Sequence, residues 1–129
     1  VIGSGRASST GDNNFAINAN IDAPVSFAKD SKGLIYIGEK GRGLIRVYNT
    51  TSLLIDSLSS APLFSGNSSD SNRFVFTGLE GIALDSQDNL YICSEFVDTV
   101  SVFNSTTRTI SVLIGNFGKG YNGEGRIGT

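Results

Sequence analysis

Three asparagines sit in the pattern Asn-X-Ser/Thr: Asn49-Thr50-Thr51, Asn67-Ser68-Ser69 and Asn104-Ser105-Thr106. In a secreted chain the side-chain amide of such an asparagine accepts an N-linked glycan, which needs a solvent-facing loop. Asn49 and Asn104 fall in equivalent polar turns, and Asn67 falls in a polar connector. All three are therefore candidate glycosylation sites. The competing use of the same residues is turn chemistry, because Asn, Ser and Thr side chains bond nearby backbone groups. Cys93 is the only cysteine, which excludes an intrachain disulfide and a zinc set. It follows Leu90-Tyr91-Ile92, so a small buried hydrophobe is expected there.

Catalytic chemistry finds little support. The chain has no His, which removes the commonest general base and metal ligand. The carboxylates of Asp12, Asp22, Glu80 and Glu124 lie in presumed linkers, and the sequence pairs no two of them. A Ser or Thr nucleophile would lack an evident base. Gly115-Asn116-Phe117-Gly118-Lys119-Gly120 superficially resembles a phosphate-cradling loop. The Tyr-Asn-Gly-Glu-Gly that follows cannot start the helix such a loop needs. The turn at Asp30-Ser31 has too few acidic neighbours, wrongly spaced, for a calcium loop. No catalytic, cofactor-binding or metal-binding residue is expected, and the chain reads as a non-enzyme.

Charge is near balance, with 10 basic and 12 acidic residues. Lys29, Lys32, Lys40, Arg42 and Arg46 form the only local basic concentration. Asp30 and Glu39 offset them, so they read as a solvated face and not as a nucleic-acid footprint. No apolar run approaches the roughly 18–20 residues that span a bilayer. Val1 stands first and no charged-then-apolar leader follows it, so a processed chain or a piece of a longer one is expected.

The elements that must carry these residues come from a repeat. Residues 28–58 align without a gap on 83–113, with ten identities in 31 positions, among them Asp30/Asp85, Tyr36/Tyr91, Val47/Val102 and Asn49/Asn104. A fixed period of this kind marks units that bury their apolar faces against one another. Each copy reads as four short strands separated by polar turns. In the first copy they are Val25–Lys29, Leu34–Gly38, Leu44–Tyr48 and Leu53–Leu58. In the second they are Gly81–Leu84, Leu90–Cys93, Thr99–Phe103 and Thr109–Ile114. The resulting division is a linker over 1–24, a unit over 25–58, a linker over 59–78, a unit over 79–114 and the start of another linker over 115–129. Ile2-Gly3 and Gly11-Asp12 match Ile114-Gly115 and Gly123-Glu124 at a spacing of 112. The expected fold is all-β: two blades of a β-propeller, each a four-stranded antiparallel sheet. A propeller closes with about four to eight blades, so two expose an apolar face at each end.

These repeats resemble NHL-type propeller repeats of the extended kind found in secreted proteins. The resemblance rests on Gly81-Ile82-Ala83-Leu84-Asp85-Ser86-Gln87-Asp88-Asn89-Leu90-Tyr91-Ile92, similar to the family's "G-v-A-v-D-s-x-G-N-l-Y-i" core. It rests also on Gly120-Tyr121-Asn122-Gly123-Glu124-Gly125, similar to its "G-Y-x-G-D-G" linker. The first copy departs with Ser26 for Gly and Leu34 for Asn. An acidic position of the family is taken here by Glu39 in one copy and Ser94 in the other. The resemblance implies an extracellular or cell-surface structural module whose partners are further blades of a parent chain, or neighbouring protomers in a ring or filament. Two alternatives are a fragment of a propeller lyase or lactonase with its catalytic residues in other blades, and a ligand-sensing ectodomain.

Overall fold

The computed structural model describes residues 1–59, 63–64 and 73–115. Among the described residues nine strands form in chain order: β1 (Asn14–Phe15), β2 (Pro24–Lys29), β3 (Leu34–Glu39), β4 (Leu44–Asn49), β5 (Leu54–Ser57), β6 (Leu79–Leu84), β7 (Leu90–Ser94), β8 (Thr99–Asn104) and β9 (Thr109–Ile114). The chain is all-β, built on two four-stranded antiparallel sheets, β2 to β5 and β6 to β9. The two ladders match except for a bulge between Val100 and Ser101 in the second. Ile35 faces Tyr48 as Leu90 faces Phe103, and a bulge follows both Pro24 and Leu79. Among the described residues no helix is long and apolar enough to cross a membrane.

The recurring Asp explains the tight first turn of each unit. Asp30 Oδ1 accepts the Lys32 and Leu34 N–H groups at 2.9 and 2.8 Å, and its Oδ2 accepts the Tyr36 hydroxyl at 3.4 Å. Asp85 does the same with Gln87, Asn89 and Tyr91. These bonds replace backbone pairing where the chain reverses. The turn also needs one left-handed residue, which is Gly33 (φ 88°) in the first copy and Asp88 (φ 61°) in the second.

Several strand ends differ from expectation by one or two residues, and the N-terminal segment differs in kind. The fourth strand starts at Leu54 because Leu53 is left-handed (φ 64°), a conformation no strand accommodates. The N-terminal segment is more than a connector. It adds β1 as a fifth strand beside β5 and makes a 3-10 turn over Ala16–Asn18. Ala16, Ala19, Ile2 and Ile21 then pack on Ile55 and Tyr48.

The sheets pack face to face. Tyr36, Ile45, Val47 and Leu58 of the first meet Leu79, Leu90, Ile92 and Phe103 of the second, with Phe76 between them. Each such side chain contributes about 1.5–3 kcal/mol by leaving water. Gly38 lies at the closest approach, where a Cβ would sit 2.7 Å from Leu79 Cδ2. The first strands of the two units, β2 and β6, lie against each other.

The expectation that Cys93 is buried is wrong: the thiol is exposed. Strand β7 buries Leu90, Ile92 and Ser94 toward the first sheet, so period-two alternation turns Cys93 to the opposite face. The solvated reading of Arg46 fails as well, since the side chain is wholly buried.

Candidate functional site

Each sheet has a front, facing up the chain's order of units, and a back. The front of the first sheet (Ala28, Tyr36, Gly38, Ile45, Val47 and Leu58) is covered by the back of the second. The equivalent front of the second sheet carries Ala83, Tyr91, Cys93, Val100, Val102 and Leu113. Ala83, Cys93 and Leu113 there are exposed, Leu113 at 46%. A row that is mostly core in one unit is half-buried to exposed in the next.

Polar contacts fasten the covered junction. Asp88 of the second unit accepts the Ser31 N–H at 2.9 Å and the Ser31 hydroxyl at 2.5 Å. These bonds hold the Asp88 carboxyl below its usual range. The Ile82 N–H donates to Ser26 Oγ at 3.1 Å. Lys40 pairs with Glu80 and lies 3.8 Å from Glu95. Arg108 donates to the Ser59 carbonyl at 2.7 Å and covers the Phe103 ring, 5.6 Å from its centroid.

The back of the first sheet is split between two coverings. Over its outer strands lies the N-terminal segment, pinned by a buried charge cluster. Arg46 reaches Asp12 at 2.8 Å, Glu39 at 3.5 Å and the carbonyls of Asn20 and Thr10 at 3.0 and 3.2 Å. Asp12 also accepts Ser57 Oγ at 3.0 Å and Arg73 Nη2 at 2.6 Å, which ties the two linkers together. Ser9 donates to Glu39. Burial raises the Glu39 carboxyl above its ordinary value, against the pull of Ser9 and Arg46. Over the inner strands the described residues give only a partial cover, with Ile2 and Ile21 beside the buried Ile37. An apolar groove of about 410 Å³ remains, lined by Ile2, Pro24, Val25, Phe27, Ile35 and Ile37, with Phe27 at 75% exposure.

No protein-family model matches this sequence, and no curated protein matches it either.

The glycosylation candidates fall in two groups. Asn49 Oδ1 accepts the Thr51 and Ser52 N–H groups at 2.9 and 3.1 Å. Asn104 Oδ1 accepts those of Thr106 and Thr107, both at 2.9 Å. In each turn the oxygen makes the bonds, and it is the amide nitrogen that would carry a sugar. Asn67, Glu124 and the loop from Asn116 to Gly120 lie outside the described residues. Glu80 stands in β6 and not in a linker, because that strand starts at Leu79. The carboxyl group of Asp22 lies where a Cβ on Gly41 would fall.

Sequence reasoning missed the Asp12–Arg46–Glu39 cluster. A signal was available: Glu39 and Arg46 share one sheet face while apolar residues surround both in the sequence. Charges placed that way must find partners or stay in water. The partner of Arg46, Asp12, 34 residues upstream, carries no periodic mark.

Proposed function

We propose that this chain is a segment of a propeller-type repeat protein serving as a non-enzymatic extracellular structural or interaction module. The observation that carries this reading is the open front of the second sheet. It repeats, with Cys93 for Gly38 and Val100 for Ile45, a surface that is largely buried core in the first unit. The adjacency of β2 and β6 supports a radial arrangement in which first strands line a common axis, as in propeller blades. The resemblance of both cores to NHL repeats points the same way.

A non-enzymatic role is favoured by where the carboxylates are spent. Asp12 and Glu39 are engaged by guanidinium groups, and Asp56 accepts the Ser57 and Phe64 N–H groups. Each of these carboxylates is held by partners inside the fold. Glycans on Asn49 and Asn104 would project from the same turn of successive units, clear of both faces. Expression through a eukaryotic secretory route, with intact mass before and after glycosidase, tests that part.

The central reading is tested by sedimentation over a range of concentrations. Association should appear as concentration rises, and Val102→Asp should suppress it. A wild-type chain that stays a compact monomer throughout would remove the need for a covering partner.

A further inference from the structure

We infer that the open front of the second sheet docks on the inner back of the first sheet of another copy of this chain, head to tail. The inference rests on the reading above, that the bare sheet faces are interaction surfaces, and adds who the partner is. The junction inside the chain supplies the template, because the two ladders are equivalent at an offset of 55 residues. Carried onto a pair of copies, it sets Tyr91, Val100 and Val102 of one against Phe27, Ile35 and Ile37 of the next. The groove beside Ile2 and Pro24 is already open to receive them.

Two differences between the units show that this back is the fitting one. First, the covered junction sets Leu79 against Gly38, where any Cβ would lie 2.7 Å from Leu79 Cδ2. The second unit has Cys93 at that position, so a partner with leucine there would collide with the thiol. This chain's own first unit has Pro24, whose closed ring lacks the branched δ carbons and leaves space for Sγ. The pair Gly38–Leu79 is exchanged for Cys93–Pro24, small against large for medium against medium.

Second, Lys40 lies 3.8 Å from Glu95 across the covered junction. In the docked pair, Glu95 of one copy takes the place of Lys40, and Lys40 of the next takes the place of Glu95. The charges alternate along the stack and meet with opposite sign at every step. The copy-to-copy contact loses the counterparts of Glu80 and Asp88, which are Val25 and Gly33. It is therefore weaker than the junction within the chain. Such a contact is heterologous, and its repetition gives a ring or a filament.

The exposed native thiol reports on the contact. Wild-type chain is alkylated with N-ethylmaleimide at several concentrations, with association followed in parallel by sedimentation. Alkylation of Cys93 should slow about ten-fold when nine-tenths of the copies are docked, since only the undocked fraction reacts. Pro24→Cys, treated with diamide as oxidant, should give a ladder of disulfide-linked copies that Cys93→Ser abolishes. Association with an unchanged alkylation rate overturns this docking while leaving the incomplete-sheet reading intact. No association at any concentration overturns both. Should Pro24→Cys fail to fold, the wild-type alkylation rates decide alone.

Discussion

At equivalent places in their ladders the first sheet carries Gly38, Glu39 and Arg46, and the second carries Cys93, Ser94 and Ser101. The strands and turns around these positions are nearly the same. What differs is the neighbour. Gly38 is pressed by Leu79, whereas Cys93 meets solvent. Glu39 and Arg46 sit under the N-terminal segment among Asp12 and backbone carbonyls, whereas Ser94 and Ser101 are buried at the back of the second sheet. The residues kept between copies build the unit itself: Asp30/Asp85 and Asn49/Asn104 close turns, and Tyr36/Tyr91 and Val47/Val102 form the front. The residues that diverge are those that answer to whatever lies across the interface.

Transplanting one unit's residues into the other should break this correspondence most severely at the buried charges. Arg46→Ser strands Glu39 without its cation and should cost about 3–5 kcal/mol in urea unfolding. Adding Glu39→Ser to it should recover most of that loss. A double variant no better than the single one would show that Arg46 acts through Asp12 and the linker carbonyls and not through Glu39.

Gly38→Cys tests the closest approach and should cost about 1–3 kcal/mol through overpacking against Leu79. Cys93→Gly, the reciprocal change, should leave thermal stability nearly unchanged because that face is open. Equal effects at the two sites would contradict the difference in covering.

A third contrast lies in the left-handed residues Leu53 (φ 64°) and Arg108 (φ 57°), which end equivalent turns. Leu53 is half exposed, so Leu53→Gly should relieve strain and stabilise by about 0.5–1 kcal/mol. Arg108→Gly should destabilise despite the same backbone gain, because it removes the bond to Ser59 and the cover over Phe103. Thermal melts of the two variants should shift in opposite directions.

The smallest effect is expected from pH. The Asp88 and Asp85 carboxyls are lowered by their bonds to Ser31 and Asn89. Their contribution is present above the ordinary carboxylate range and is lost as pH falls through their folded values, below about pH 4. Glu39, raised by burial, has the opposite sign: its contribution is present in acid and is lost as pH rises through its folded value. Chemical-shift titration should therefore show the Glu39 region changing on acidification before the Ser31 turn loosens. The reverse order would contradict these assignments.

Much of the fold was legible because it repeats. A 55-residue period with matching Asp, Tyr and Asn positions fixed the strand order, and alternation along each strand placed the core. Three things escaped. Cys93 looked buried because it continues the apolar run Leu90-Tyr91-Ile92, although among the described residues that face of the strand has no neighbour. Arg46 looked solvated because its partner Asp12 is remote in sequence. Segment 1–24 looked like a connector because a two-residue strand and one 3-10 turn leave no periodic trace. In each case what decided the outcome was a contact between distant segments, which local pattern does not encode.

Gly38 has a mechanical consequence as well. At the inner edge the two sheets are held apart by a hydrogen atom, while at the outer edge Phe74 and Phe76 from the second linker fill the space. The two spacings are set by different residues, so the units form a wedge whose opening can be tuned from either side. Bulk added at the inner edge flattens it, and bulk removed from the outer edge does the same. The angle between the two sheets is thus written into a few side chains and not into the strands.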